Sequence, residues 1–186
     1  MQYKFFYVIF FLLFLVNNLN AFEYYKVKNT GGVRFLAGGR YYDSLIDDLQ
    51  NAEKDIFVFM YLIRYAEIPY HPVNKLVKEL ISAKERGLNV TVYLDDHIKE
   101  GTERTAVNLT VYDLLKRRGI NVKMDRGKKI YHSKVVIIDN NIVYCGSHNW
   151  TAAAFNMNSE SSARAVSKKL ANALKITLTA NLPYFE

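Results

Sequence analysis

An α/β sandwich around a mixed β-sheet is the fold class the sequence predicts, on three observations. Over the first half of the chain, strand-like runs alternate with amphipathic helical stretches. One run, Asp55 to Ile63, is apolar almost without a break, as a strand covered on both faces must be. The second half is rich in short strands, two of them separated only by Asp139-Asn140-Asn141. Alternation followed by strand pairing is the pattern of helices packed on a mixed sheet.

The elements follow in order. Val33-Arg34-Phe35-Leu36-Ala37 reads as a short strand stopped by Gly38-Gly39. Between Tyr42 and Lys54, the residues Leu45, Ile46, Leu49 and Ala52 recur at helical spacing. The apolar strand comes next, and Arg64 to Pro72, with Pro69 and Pro72, must be a loop. Val73 to Arg86 is an amphipathic helix carrying Leu76, Val77, Leu80, Ile81 and Ala83, and Gly87 closes it. Asn89 to Leu94 is a strand that runs into Asp95-Asp96-His97. Thr102 to Arg118 is a helix stopped by Gly119, and Ile120 to Met124 a strand. Lys134 to Ile138 and Ile142 to Cys145 are strands joined by a hairpin-like turn. Glu160 to Val166 is a last strand and Ser167 to Ala180 a last helix. No internal repeat, linker or second domain is legible.

The first 21 residues are of another kind. Met1 to Lys4 is a short basic start, Phe5 to Val16 is an unbroken apolar run, and Asn17 to Ala21 is polar with a small last residue. This is the order of a secretory signal peptide. Twelve helical residues rise about 18 Å, short of the roughly 30 Å hydrocarbon core. Leu19 suits a cleavage site poorly, so an uncleaved membrane anchor stays open. Residues 22–186 are expected as one domain outside the cytoplasm, secreted or periplasmic, or held at a membrane through residues 5–16.

The chain has 186 residues, with 25 Lys+Arg against 18 Asp+Glu and a net charge of +7. A basic surface favours polyanionic partners, nucleic acid or anionic lipid. A single cysteine, Cys145, excludes an intrachain disulfide framework and a multi-cysteine zinc site. At the end of an apolar strand it is expected to be buried and inert.

The chemistry gathers in Ile130-Tyr131-His132-Ser133-Lys134 and the residues that follow, up to Trp150. The spacing is H-x-K-x4-D-x6-G-S-x-N, with His132, Lys134, Asp139, Gly146, Ser147 and Asn149 at the named places. His132 and Lys134 are two apart, so on a strand they share a face. An imidazole can attack phosphorus, and the ammonium beside it supplies charge for the phosphate oxygens. Ser147 and Asn149, also two apart, can donate hydrogen bonds toward the same place. Together they form an electropositive cup for a phosphoryl group. Asp139 follows four apolar residues and precedes Asn140-Asn141, which reads as a turn position.

This pattern resembles the signature of the phospholipase D superfamily, over about Gly32 to Leu178, and is most similar to its small single-motif bacterial endonucleases. The resemblance implies a phospholipase D-like αβα sandwich and a covalent phosphohistidine on His132. It counts His132, Lys134, Asn149, Glu160 and, in a supporting part, Asp139 as the catalytic set. Lys134, Ser147, Asn149 and the variable His148 stand as substrate-binding residues. Glu160, in Asn158-Ser159-Glu160, is expected to bond His132 and hold its tautomer. No cofactor or metal is expected, since this route needs none. One motif copy supplies one His-x-Lys unit, which implies a homodimer with a shared active site. His148 as the acid within one chain is the alternative.

The expected activity is therefore a metal-independent nuclease. A phospholipid hydrolase is the first alternative and a non-catalytic nucleic-acid-binding module the second. An apolar site entrance would mark the former, and a basic groove the nuclease. Asp95-Asp96-His97 offers hard metal ligands, a cleft rim or a helix N-cap. Lys128-Lys129 and Arg117-Arg118 could meet phosphates. Tyr131 and Trp150 could stack on bases or belong to the core.

Overall fold

The computed structural model describes residues 32–95, 104–125 and 130–180. The predicted leader, Asp96-His97 and Lys128-Lys129 lie outside them. Among the described residues, no helix is long and apolar enough to cross a membrane. The chain divides into two compact units, Met1–Arg34 and Phe35–Glu186. In the first, the described residues are Gly32, at positive φ, and the opening of a strand. The second holds the sandwich.

Seven strands form one sheet: β1 (Val33–Ala37), β2 (Asp55–Met60), β3 (Asn89–Asp95), β4 (Asn121–Asp125), β5 (Lys134–Ile138), β6 (Ile142–Gly146) and β7 (Ser161–Val166). Their order across the sheet is β1-β7-β6-β5-β2-β3-β4. β2, β3 and β4 pair in parallel, while β2–β5, β5–β6 and β6–β7 pair antiparallel. The helices are α1 (Gly39–Gln50), α2 (Pro72–Glu85), α3 (Arg104–Arg117), α4 (Ala152–Asn156) and α5 (Lys168–Ala180).

Apolar alternation assigns each face. Ile56, Val58 and Met60 of β2 and Val90, Val92 and Leu94 of β3 face a core shared with α1, α2, α3 and α4. Phe59, Tyr93, Val135, Ile137 and Val143 point the other way, against Ala171, Leu174 and Leu178 of α5. The sheet is thus sandwiched between helical layers, as the sequence predicts. β5 is buried at every residue because both faces are covered.

The β5–β6 hairpin turns on Asp139 and Asn140, both at positive φ (53° and 47°), with Asn141 N–H donating to Ile138 O at 3.0 Å. Two consecutive left-handed residues make a type I′ turn, which suits the strand twist and tolerates Asp and Asn.

Three local expectations need correction. The long apolar strand stops at Met60, not Ile63. The chain leaves the ladder there, and Ile63 keeps a single parallel bridge to Trp150. The helix expected over Tyr42 to Lys54 runs from Gly39 to Gln50, and α4 was not foreseen. Thr151 starts α4, its Oγ1 accepting from Ala154 N–H at 3.1 Å. Cys145 is exposed rather than buried. It shares a face with Val143, but it sits at the strand end, beyond the cover that α5 gives Val143.

Candidate active site

Strand polarity decides which loops meet. β2, β3 and β6 run the same way, and β5 and β7 run against them. The ends of β2, β3 and β6 therefore share one edge of the sandwich with the starts of β5 and β7. Tyr61, Asp95, His132, Lys134, Ser147, Asn149 and Glu160 all lie at that edge.

His132 is exposed just ahead of β5, and Lys134 opens the strand at 8% exposure. Lys134 Nζ donates to the His132 carbonyl at 3.0 Å and lies 4.9 Å from the centre of the Tyr61 ring. That ring meets the His132 ring edge-on, 4.5 Å between centres and 60° between planes. Burial, then the charge of Lys134, lower the His132 pKa below the usual histidine value, against the pull of Asp95. Both effects favour the neutral imidazole, the form that can attack phosphorus. Burial also lowers Lys134, while Glu160 and Asp95 favour its charged form.

Asp95 holds the approach to this pair. It is 7% exposed, and its Oδ1 accepts from Tyr131 N–H at 2.6 Å, one residue before His132. At the end of β3, Asp95 is thus a buried acceptor for the segment that carries His132, a part not among those expected for it. Among the described residues no group of His, Cys, Asp and Glu is arranged to hold a metal ion.

Other residues depart from their expected places. Glu160 accepts from Asn158 Nδ2 at 2.9 Å, and none of its hydrogen bonds goes to His132. Glu160 just precedes β7, which is the second strand over from β5, roughly 10 Å at ordinary strand spacing. Burial raises the Glu160 pKa, but hydrogen bonds from Ser147 and Asn158 and the charges of His148 and Lys134 bring it below the usual value. Ser147 is exposed, and its Oγ clamps the start of β7, accepting from Ser161 N–H at 3.0 Å. Asn149 is half-buried, its Oδ1 buried without a hydrogen bond.

His148 does not reach the site. It is 1% exposed, its ring stacks on Tyr41 at 4.3 Å, and Nδ1 pairs with Ser162 Oγ at 2.8 Å. Ser147 is exposed, and by alternation the residue after it is turned into the core. Trp150 is likewise core, at 0% exposure. Gly146 is required by space alone. A Cβ there would sit 2.4 Å from the Ser161 carbonyl oxygen and from Ser162 Cα.

Asp139 is at the wrong end of the sandwich for catalysis. Its carboxylate accepts from the backbone N–H groups of Glu53, Lys54 and Asp55, with Lys54 at 2.7 Å. The four residue steps from Lys134 to Ile138 alone span about 13 Å. Asp139→Ala is expected to leave kcat unchanged and to cost about 1–3 kcal/mol in denaturant unfolding, because three strand-entry donors lose a charged acceptor. A large fall in kcat with unaltered stability would contradict this assignment.

Two contributors escaped sequence reasoning. Tyr61 was hidden inside an apolar run. Asn108, 3% exposed, binds Ile63 N–H, Tyr61 O and Asp95 O at 3.0, 2.9 and 2.8 Å, tying two strand ends together. Its signal was a polar residue in the stripe of α3 that also carries Val111 and Leu115.

The loop after β2 is built rather than slack. Asn74 Nδ2 donates to Ala66 O at 2.6 Å and Ile68 O at 3.1 Å. Ile68 and Tyr70 project from it, Tyr70 fully exposed and at φ 66°. Ile130 and Met157 are exposed on two other loops of the same edge.

Residues 45–179 match the family model described as "Cardiolipin synthase, PLD-like domain". A curated relative, "Phospholipase D" of Rickettsia conorii, is 32% identical over 117 residues, 62% of this chain and 51% of that protein. The chain spans about half the length of the curated relatives it matches. Among solved structures, the phospholipase D family member Nuc from Salmonella typhimurium superposes with a TM-score of 0.67 at 23% identity. That match covers 83% of this chain and 97% of Nuc. A phosphatidylserine synthase from Haemophilus influenzae gives 0.69 at 13% identity, over 87% of this chain and 41% of its own.

Proposed function

The chain belongs to the phospholipase D superfamily, and from that premise we propose that it hydrolyses phosphodiesters of nucleic acid through a covalent phosphohistidine on His132. The observation that carries the reading is the pair itself: an exposed imidazole beside a buried lysine that donates to its carbonyl. The neutral His132 nitrogen attacks phosphorus, and the bond to the leaving oxygen breaks. The leaving oxygen takes a proton from a second imidazole. Water, giving its proton to that same imidazole, then attacks the phosphohistidine and frees His132 with a phosphomonoester as product. Lys134 and Asn149 face the developing charge.

The second imidazole is assigned to His132 of another subunit, in a homodimer with one shared site. The burial of His148 speaks against it as the in-chain acid and supports this reading. The net charge of +7 supports a nucleic-acid substrate. A phospholipid diester is the second reading, favoured by the exposed apolar side chains Ile68, Tyr70, Ile130 and Met157 on loops at the site edge and by the name of the rickettsial relatives.

The purified full chain, given DNA, RNA and anionic phospholipid vesicles, separates the readings. Cleavage of nucleic acid that persists in EDTA and is blocked by vanadate is expected. Turnover of vesicle lipid alone selects the second reading, and activity lost in EDTA and restored by magnesium removes the phosphohistidine route. Mixing wild-type chains with inert His132→Asn chains in equal amounts is expected to leave about one quarter of the total activity, by random pairing into two-fold dimers. About one half would mean independent sites.

A further inference from the structure

Tyr61 is the first residue past β2. The register that sets Met60 opposite Lys134 brings Tyr61 opposite Ser133, and its N–H donates to the Ser133 carbonyl at 2.8 Å. Its own carbonyl accepts from the buried Asn108 at 2.9 Å. The backbone of Tyr61 is thus fixed on both sides, and fixed to the residue that lies between His132 and Lys134. Its ring meets both of them, the imidazole at 4.5 Å between centres and the ammonium at 4.9 Å. The face of an aromatic ring is electronegative and attracts a cation. A steep ring–ring contact also restricts how far the imidazole can rotate.

We propose that Tyr61 is a positioning residue, its ring holding the Lys134 ammonium and the His132 imidazole in one fixed arrangement. This rests on the phosphohistidine reading of the same site. A half-free lysine would have to be ordered at every encounter with phosphate, and a rotating imidazole would present its nitrogen off line. Pre-orientation of both is what a rigid neighbour contributes to rate. Within the described residues, Lys134 Nζ has one hydrogen bond, to the His132 carbonyl, so the ring is its second anchor. The titratable groups that face Lys134 are His132 from its own segment, Asp95 from the end of β3 and Glu160 just ahead of β7. The two carboxylates favour the ammonium, and the Tyr61 ring adds an uncharged partner that does the same.

The test is the titration of Lys134 and His132 by NMR in the full chain, beside steady-state kinetics. Tyr61→Leu is expected to move the Lys134 midpoint down by about one pH unit, the size of a desolvated cation–π contact. It is also expected to lower kcat by about ten-fold or more with KM within about two-fold, the signature of lost orientation rather than lost binding. Tyr61→Phe, which keeps the ring, is expected to restore the Lys134 midpoint and kcat relative to leucine. An unmoved Lys134 midpoint in Tyr61→Leu overturns the proposal, as does a phenylalanine variant as impaired as leucine. Should leucine prevent folding, pentafluorophenylalanine at position 61 keeps the shape and reverses the charge of the ring face. It must lower the Lys134 midpoint, and an unchanged value refutes the ring's part. A wild-type chain inactive on every diester would remove the phosphohistidine reading, whereas the titrations judge the ring independently of activity.

Discussion

His132→Asn is expected to lower turnover by on the order of 10^3-fold or more while the thermal melt stays close to wild type. The ring is exposed, so its loss opens no cavity, and Lys134 keeps its bond to a backbone carbonyl that the substitution leaves in place. Asparagine cannot form the covalent phosphoryl intermediate, so rapid-quench trapping of a phosphorylated chain should fail in the variant and succeed in wild type. A variant with more than about a tenth of wild-type kcat would place the nucleophile elsewhere. The pH profile carries a second check. Burial and the Lys134 charge disfavour the imidazolium, with Asp95 opposing them, so His132 loses its proton at lower pH than an ordinary histidine. The acid limb of kcat/KM, where the attacking imidazole becomes protonated, should therefore lie below pH 6.5. With two such imidazoles in one site, both limbs of the bell belong to the pair, and the whole bell moves toward acid. An acid limb at or above 6.5 contradicts the assignment.

Asp48→Ala is expected to bring the largest loss of stability, about 3–5 kcal/mol in denaturant unfolding. Asp48 on α1 receives Arg164 of β7 in a bidentate pair, Nε at 2.6 Å and the terminal nitrogen at 2.8 Å. The Tyr144 hydroxyl of β6 donates to the same carboxylate and also lies 2.9 Å from Ser44 Oγ. The side chains of Arg164 and Asp48 are 13% and 11% exposed, so solvent screens the pair little. Alanine leaves a guanidinium and a phenol without their shared acceptor, and that uncompensated burial outweighs the net worth of the pair. Desolvation and the carboxylate together push Tyr144 well above the usual tyrosine range, and the hydrogen bonds to Asp48 push Arg164 up. The double variant Asp48→Leu with Arg164→Leu should cost less than Asp48→Ala, because it removes the stranded charge as well. A loss below about 1 kcal/mol for the single variant would show an ordinary surface pair.

The two expectations draw on different layers of information. His132 and Lys134 were legible as a site because chemistry at two-residue spacing on a strand is a local property: alternation alone brings them to one face. Most strand and helix positions were legible for the same reason, since periods of 2 and 3.6 are written in neighbouring residues. The Asp48–Arg164–Tyr144 network spans 96 and 116 residues in sequence, and no local period announces it.

What the sequence by itself determined is the sandwich, the His-x-Lys pair at the start of a strand, and the family to which that pair belongs. What only the tertiary structure decided is which neighbours this pair has. It placed Asp139 at the opposite end as a clamp for the entry to β2, turned His148 into the core, exposed Cys145, and gave Glu160 a bond to Asn158 rather than to His132. It brought in Tyr61, Asp95 and Asn108 instead, residues just past β2, at the end of β3 and on α3 that share no motif with His132. The physical reason is strand order. Which loops meet at an edge depends on how distant strands pair, and pairing is fixed by burial across the whole sheet rather than by any window of the chain.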